Sequence, residues 1–254
     1  MTLAENHPDY SIIIPAFNEA DFLPSTLDSV QLTIQSVADA VGVSGEVIVV
    51  DNNSTDDTTS VAEAHALAEN GLRVVFEPKN QISKARNAGA AVATSEKLIF
   101  VDADTELTPT LLLGALAALN DNAVGGGAML AIDATHQGAN FVTKLWNGFA
   151  KRAKYAAGCF LFCRKDAFRA VGGFSEEVFA SEEIWLARGL KRWGKKHGAP
   201  FLILDQFVTT SARKLEWLST YAMLKQILVI LFFPFAVKYR RFCGAWYQRP
   251  NKPV

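Results

Sequence analysis

The chain reads as an α/β protein: a mostly parallel central sheet flanked by helices, with a C-terminal amphipathic to hydrophobic helical tail. Three observations predict this. Short runs of Val, Ile and Phe alternate with helix-spaced segments through the first half, polar residues collect where those runs stop, and the charge changes sign near Ser211. Near-continuous apolar strands separated by helices belong to parallel sheets covered on both faces. With 254 residues, half of them hydrophobic, a sizeable core is available.

Tyr10–Phe17 (YSIIIPAF) reads as a buried strand, and Asp21 to about Ala40 as a helix with apolar spacing at Phe22, Leu23, Leu27, Val30 and Ile34. Glu46–Asp51 (EVIVVD) is the second strand, and Thr55–Glu69 a helix with Asp and Thr at its start. Leu72–Phe76 is the third strand, Ile82–Ala93 an alanine-rich helix, and Lys97–Val101 the fourth strand. The second half is more mixed. Strands are expected at Ala123–Ile132, Ala156–Cys163 and Phe201–Leu204, and helices at Ala139–Lys154, Arg164–Val171 and Ser181–Trp193. No repeat or low-complexity linker interrupts this series, so one domain over 1–210 with an extension over 211–254 is the simplest organisation.

A net charge of −1 does not mark a nucleic-acid binder. From Ser211 onward, however, Arg213, Lys214, Lys225, Lys238, Arg240, Arg241, Arg249 and Lys252 stand against a single acid, Glu216. A basic, aromatic tail on an acidic body fits a negatively charged surface. Gln226–Val237 (QILVILFFPFAV) is an uncharged run of 12 residues, short of the about 20 that span a bilayer. Flanked by Trp217, Tyr221, Trp246 and Tyr247, it reads as an interfacial helix on an anionic membrane. Packing on the domain or on a second subunit, as in a homodimer, is the other reading. The odd cysteine count (Cys159, Cys163, Cys243) and the absence of an export signal in MTLAENHPDY place the expected location in the cytoplasm, peripheral at the inner face of the membrane.

Chemistry concentrates at the strand ends. Asp102-Ala103-Asp104 puts two carboxylates at i and i+2 just beyond a buried strand. Ligands of open α/β sheets sit beyond the carboxyl ends of the strands. Mg²⁺ or Mn²⁺ held there by a few protein oxygens keeps its other positions for phosphate. Alone, such a pair is an ordinary solvated turn. Asn18-Glu19 and Asp51-Asn52-Asn53, at the ends of two other strands, give it weight.

SIIIPAFNEADFLPSTLDSV, EVIVVDNNSTDDTT, KARNAGAAVATSEKLIFVDAD, GCFLFCRKDAFRAVGGF and SEEIWLARGLKRWG, in that order, resemble the family-two glycosyltransferases of the GT-A fold over about residues 10–197. The resemblance implies an inverting, metal-dependent enzyme that moves a sugar from a nucleotide-diphosphate donor, by default a UDP-sugar, to an acceptor hydroxyl, which a membrane-facing tail would suit if lipid-linked. GDP-mannose donors occur in similar enzymes. Pro15, Ala16, Asn18 and Glu19 then form a nucleotide shelf, with Asp51 accepting a hydrogen bond from the base and Asn53 and Ser54 supporting the loop. Lys84 and Arg86 face the phosphates; for Lys84 a solvated helix face is an equal reading. The family implies Asp104 as the more direct metal ligand, with Asp102 at the ribose or the metal's hydration shell. Its acidic pair falls on Glu182-Glu183, and its second member, Glu183, is the general base, Glu182 being the alternative. Glu stands here where the family most often has Asp, which moves the carboxylate by about a bond length.

Gly158-Cys159-Phe160 and Gly172-Gly173-Phe174 read as acceptor-side packing or as ordinary core, and Trp185 as core. Asp56 and Asp57 read as first-turn helix acids, and Ser181 as an N-cap. Many such enzymes supply a late histidine to the metal; here the last is His197, on a solvated helix end. Thr210-Ser211-Ala212-Arg213-Lys214 is the candidate substitute, its hydroxyls and guanidinium placed to contact the diphosphate directly. Two other classes compete. A nucleotidyltransferase would begin with a Gly-rich phosphate loop, which PAFNEAD lacks, and a catalytically inactive nucleotide-binding protein would not need the intact acidic edge.

Overall fold

The chain is described from a computed structural model over residues 7–133, 147, 148, 150–211, 234–243 and 247. Strand β1 (Tyr10–Ala16) is buried along its whole length, and its neighbours β2 (Gly45–Asp51) and β4 (Lys97–Val101) run parallel to it. Strand β3 (Leu72–Phe76) extends the sheet beyond β2. Helices α1 (Leu23–Val41), α2 (Thr58–Ala64) and α3 (Ile82–Val92) connect them. One apolar cluster gathers α1 against one face of β1 and β2, and a second gathers α3 against the other, so both faces are covered. Gly89 lets α3 press onto the sheet, since a Cβ there would overlap the Ile13 methyl.

The second half turns this parallel unit into a mixed sheet of eight strands ordered β3-β2-β1-β4-β7-β6-β8-β5. Strand β5 is the short Thr105–Glu106, β6 runs over Gly125–Asp133, β7 over Phe160–Arg164 and β8 over Phe201–Ser211. β7 lies antiparallel between β4 and β6, and β5 pairs antiparallel with the end of β8. Helices α4 (Pro109–Asn120), α5 (Lys165–Ala170) and α6 (Glu182–His197) complete the layers.

Several expectations move. Helix α4 is additional; it is started by Thr108, whose side chain accepts from Leu111 N–H, with Pro109 in the first turn. The Thr55–Glu69 helix splits at His65, where an extended ψ of 145° separates α2 from a short 3-10 turn. β8 runs to Ser211 rather than stopping at Leu204, because its far end pairs with both β6 and β5. Most of the Ala139–Lys154 helix lies outside the described residues, as do Gln226–Phe233 of the apolar run and Trp217, Tyr221 and Trp246 of its flanks. Pro234–Lys238 forms a 3-10 turn, and among the described residues no helix is long and apolar enough to cross a membrane. The three cysteines are buried free thiols.

Candidate functional site

The strand order reverses between β1 and β4, and the crevice beyond their carboxyl ends holds the first set of expected residues. Pro15 and Ala16 end β1 in register with Val50 and Asp51. Asn18 follows in a left-handed conformation (φ 53°), as does Asn53 after β2 (φ 63°), a conformation asparagine tolerates better than most residues. The two loops are laced together. Asn18 N–H donates to Ser54 Oγ at 3.0 Å, and Thr55 N–H donates to Asn18 Oδ1 at 2.8 Å. Buried Glu19 donates its N–H to Thr58 Oγ1 at 2.8 Å, and Asp56 accepts from Ala20 N–H at 3.2 Å. Asp51 is buried, with one oxygen accepting from Ser54 N–H and the other from Thr59 Oγ1, both at 2.9 Å. Asp56, Thr58 and Thr59 thus do more than complement a helix dipole. The Asp-Asp-Thr-Thr run at a helix start was the available signal.

Asp102 and Asp104 leave β4 on the other side of the crevice. Backbone bonding makes the turn: Asp102 N–H donates to Cys159 O and Thr105 N–H to Asp102 O, at 3.0 and 3.1 Å. Both carboxylates are partly exposed. The end of β8 returns here, with Ser211 N–H donating to Asp104 O at 3.1 Å and Thr210 Oγ1 lying 3.4 Å from Asp104 Oδ1. Thr210 and Ser211 therefore stand beside Asp104, while Arg213 lies outside the described residues. A cavity of about 500 Å³ opens beside Asp104, between α1 and the β5–β8 pair, lined by Phe22, Ser25, Leu32 and Thr209 among others. Among the described residues no three His, Cys, Asp or Glu side chains converge as a closed cage. An open pair of carboxylates fits Mg²⁺ or Mn²⁺, which keep positions for phosphate oxygens, rather than a structural zinc.

The acidic pair reaches the same place through Arg86. This side chain is only 1% exposed. It donates to Asp102 Oδ1 at 2.7 Å, to Glu182 Oε1 at 2.5 Å and to Gly158 O at 2.8 Å, with its guanidinium 5.1 Å from the centre of the Phe174 ring. Burial opposes the charge, but Asp102, Glu182 and Glu183 together hold it more firmly protonated than usual. The sequence expectation of an open phosphate contact is thus revised: Arg86 is a buried tie between β4 and α6. Gly158 floors the cluster, since a Cβ there would lie 3.6 Å from Glu183 Cδ and 3.7 Å from Arg86 Nη2.

Glu182 and Glu183 differ sharply. Glu182 is buried and bound to Arg86, its second oxygen lacking a partner among the described residues. Glu183 stays partly exposed. Desolvation first, and the Glu182 charge next, push its carboxyl up to about 8, against the pull of its own backbone N–H and Arg86. A carboxylate held near neutrality in a crevice has the poise of a general base. Ser181 does not cap this helix: it sits at φ 63° with no side-chain bond to it, a strained conformation just before the acids.

Other expectations also change. Phe160 and Phe174 are buried core, the latter seating Arg86, so neither offers a face to a sugar. Trp185 is 45% exposed instead of buried. Lys84 pairs with Glu176, turning away from the crevice toward the loop before α6. His197 stacks on Trp193 at 3.8 Å in the last turn of α6.

A sequence profile for Glycosyl transferase family 2 matches residues 11–172, more than half of the chain. The chain belongs to glycosyl transferase family 2. Glycosyltransferase AglE of Haloferax volcanii is 26% identical over 194 residues, covering 71% of this chain and 61% of its own. An uncharacterized glycosyltransferase of Mycobacterium bovis is 35% identical over 94 residues, 37% of this chain and 36% of its own. The chain thus matches about a third of the mycobacterial relative's length. The fold is also that of S. aureus TarS 1–349 (TM-score 0.61, 18% identity, covering 93% of this chain and 74% of that one). The mannosyltransferase PcManGT of Pyrobaculum calidifontis, solved with GDP-Man and Mn²⁺, aligns with a TM-score of 0.59 at 17% identity over 94% of this chain and 74% of its own. These glycosyltransferase neighbours bear out the GT-A architecture that the motifs implied.

Proposed function

We propose that this chain is an inverting glycosyltransferase that moves a sugar from a nucleotide-diphosphate donor to an acceptor hydroxyl. One observation carries the reading: Asp102, of the Asp102–Asp104 pair, and the Glu183 carboxyl gather around Arg86 and Gly158. Asp51 and the laced Asn18–Ser54 loops form the shelf for the base and ribose. Asp104, with Asp102 and the Thr210 hydroxyl beside it, would hold Mg²⁺ or Mn²⁺, which when bound offsets charge on the departing diphosphate. Glu183 takes the proton from the acceptor hydroxyl. The freed oxygen attacks the anomeric carbon, and the bond to the diphosphate breaks with its electron pair leaving on phosphate. Base catalysis of this kind contributes roughly 10²–10⁴-fold. Arg86 acts indirectly, fixing Asp102 and Glu182.

A UDP-sugar is the first donor to test, given the Asp51 position; of the neighbouring structures, TarS is solved with UDP-GlcNAc and PcManGT with GDP-Man. A lipid-linked acceptor at an anionic membrane fits the exposed Tyr239 and Phe242, which flank Arg240 and Arg241. The test is a thermal-shift series with UDP-GlcNAc and GDP-mannose, with and without Mn²⁺, followed by an assay for slow donor hydrolysis. Mn²⁺-dependent stabilisation by one donor, and its turnover, are expected. Binding without turnover points to a catalytically inactive protein, and no binding at all overturns the reading.

A further inference from the structure

The loop that delivers the acid pair is held from two sides. On one stand Gln81, just before α3, whose amide donates to Glu176 O and Val178 O at 2.9 Å each, and Asn87 of α3, which exchanges hydrogen bonds with the Phe174 backbone. On the other lies the C-terminal segment. Val237 and Cys243 share a small buried cluster with Val178 and Ala180, with Phe179 and Tyr247 packed against it. Phe179 N–H donates to Val237 O at 2.6 Å, its ring meets Tyr247 edge-on at 5.9 Å, and Lys238 pairs with Glu177 at 2.9 Å.

This segment also reaches the donor side. Exposed Arg240 donates to Asn80 Oδ1 at 2.8 Å, and Asn80 in turn donates to Asn52 O at 3.0 Å, in the loop after β2. Its buried groups lie within the field of Glu182. Burial, and then the Glu182 charge, push the Cys243 thiol up to about 11 and raise the Tyr247 phenol as well, with the Ile82 backbone N–H acting in the opposite direction on the phenol.

We propose that residues 234–243 and Tyr247 form a strap that positions the acid pair, with Tyr247 as its anchoring residue. Strained Ser181 and a loop lacking regular structure between α5 and α6 leave the backbone that leads into the acids little rigidity of its own. The strap closes a small core under residues 178–180 and so fixes where α6 begins. The inference deepens the proposed function in its catalytic part, since a misplacement near 1 Å can cost about 10²-fold in rate. Its structural part stands without any turnover.

Hydrogen exchange on the full-length chain, without nucleotide, tests it. In Tyr247→Ala, amides of 176–186 should exchange at least about tenfold faster while those of β1, β2 and β4 keep their protection. Tyr247→Phe should match wild type. Unchanged exchange over 176–186 in Tyr247→Ala overturns the strap. Should that variant lose protection throughout, Arg240→Ala decides by the same comparison, because it loosens the strap from an exposed position. With the donor that wild type turns over, Tyr247→Ala should lower kcat about 10- to 100-fold with KM within about twofold. A rise in KM alone contradicts positioning. Failure of wild type to bind nucleotide sinks the proposed function and leaves the exchange result standing.

Discussion

The two walls of the crevice are built on different principles. The proposed donor shelf joins residues near one another in sequence or on adjacent loops, through neutral or singly charged bonds: Asn18 with Ser54 and Thr55, and Asp51 with Ser54 and Thr59. The acid wall joins buried Arg86 to buried Glu182 and to the partly exposed Asp102 and Gly158, drawn from three separate parts of the chain. Each shelf bond contributes about 1 kcal/mol and has neighbours to share the load. A buried charge deprived of its partner costs several times more. The shelf can be tuned by single substitutions, whereas the acid wall stands or falls as a unit.

The sharpest way to break this contrast is Arg86→Met. It leaves Asp102 and Glu182 facing each other without a counter-charge, and a loss of about 3–5 kcal/mol in urea unfolding is expected. A loss under about 1 kcal/mol would show that the wall is no more cooperative than the shelf. Asp104→Asn should abolish the Mn²⁺-dependent part of donor stabilisation while changing the stability of the nucleotide-free chain by about 1 kcal/mol or less, since the isosteric amide keeps an oxygen facing Thr210 Oγ1, 3.4 Å away. Undiminished Mn²⁺ dependence would move the metal elsewhere. The smallest effect belongs to Thr59→Val on the shelf: about 1 kcal/mol in stability and roughly fivefold in donor Kd by titration calorimetry. A larger loss than that of Arg86→Met would invert the comparison.

The strand-end residues were legible in the sequence because they lie at the ends of apolar runs. Asp51 closes one strand and Asp102 follows another, both strands that could hardly be read otherwise, and parallel topology carries those ends to one edge. Much of the acid wall was hidden. Ala-rich α3 has little apolar contrast to show that Arg86 faces inward, and no local pattern pairs it with Glu182, 96 residues away. Antiparallel β7 makes the connection, bringing Gly158 and Cys159 alongside Asp102. Helix α4 escaped because residues 111–119 are almost entirely Leu and Ala, leaving no polar face, although Thr108-Pro109 was a readable start. The strap was unreadable for a related reason: its contacts with residues 177–180 cross more than fifty residues of chain.

Glu183 offers a check on both stability and rate. Its folded pKa of about 8 lies above the ordinary 4.5, so the native state holds the proton more tightly, and the associated stability is lost as pH rises from 4.5 through 8. Glu183→Gln removes that loss. The variant should melt several degrees above wild type at pH 9 and with a smaller difference at pH 5, roughly as linkage requires.

The most direct test of the account is the pH dependence of sugar transfer in wild type and Glu183→Gln. Wild-type kcat/KM should climb with pH and level off above about 8, where the free carboxyl ionises. The variant should lose that limb and run roughly 10²–10⁴-fold slower. A Glu183→Gln enzyme with the wild-type rate and the same pH limb would contradict the assignment of Glu183 as the base.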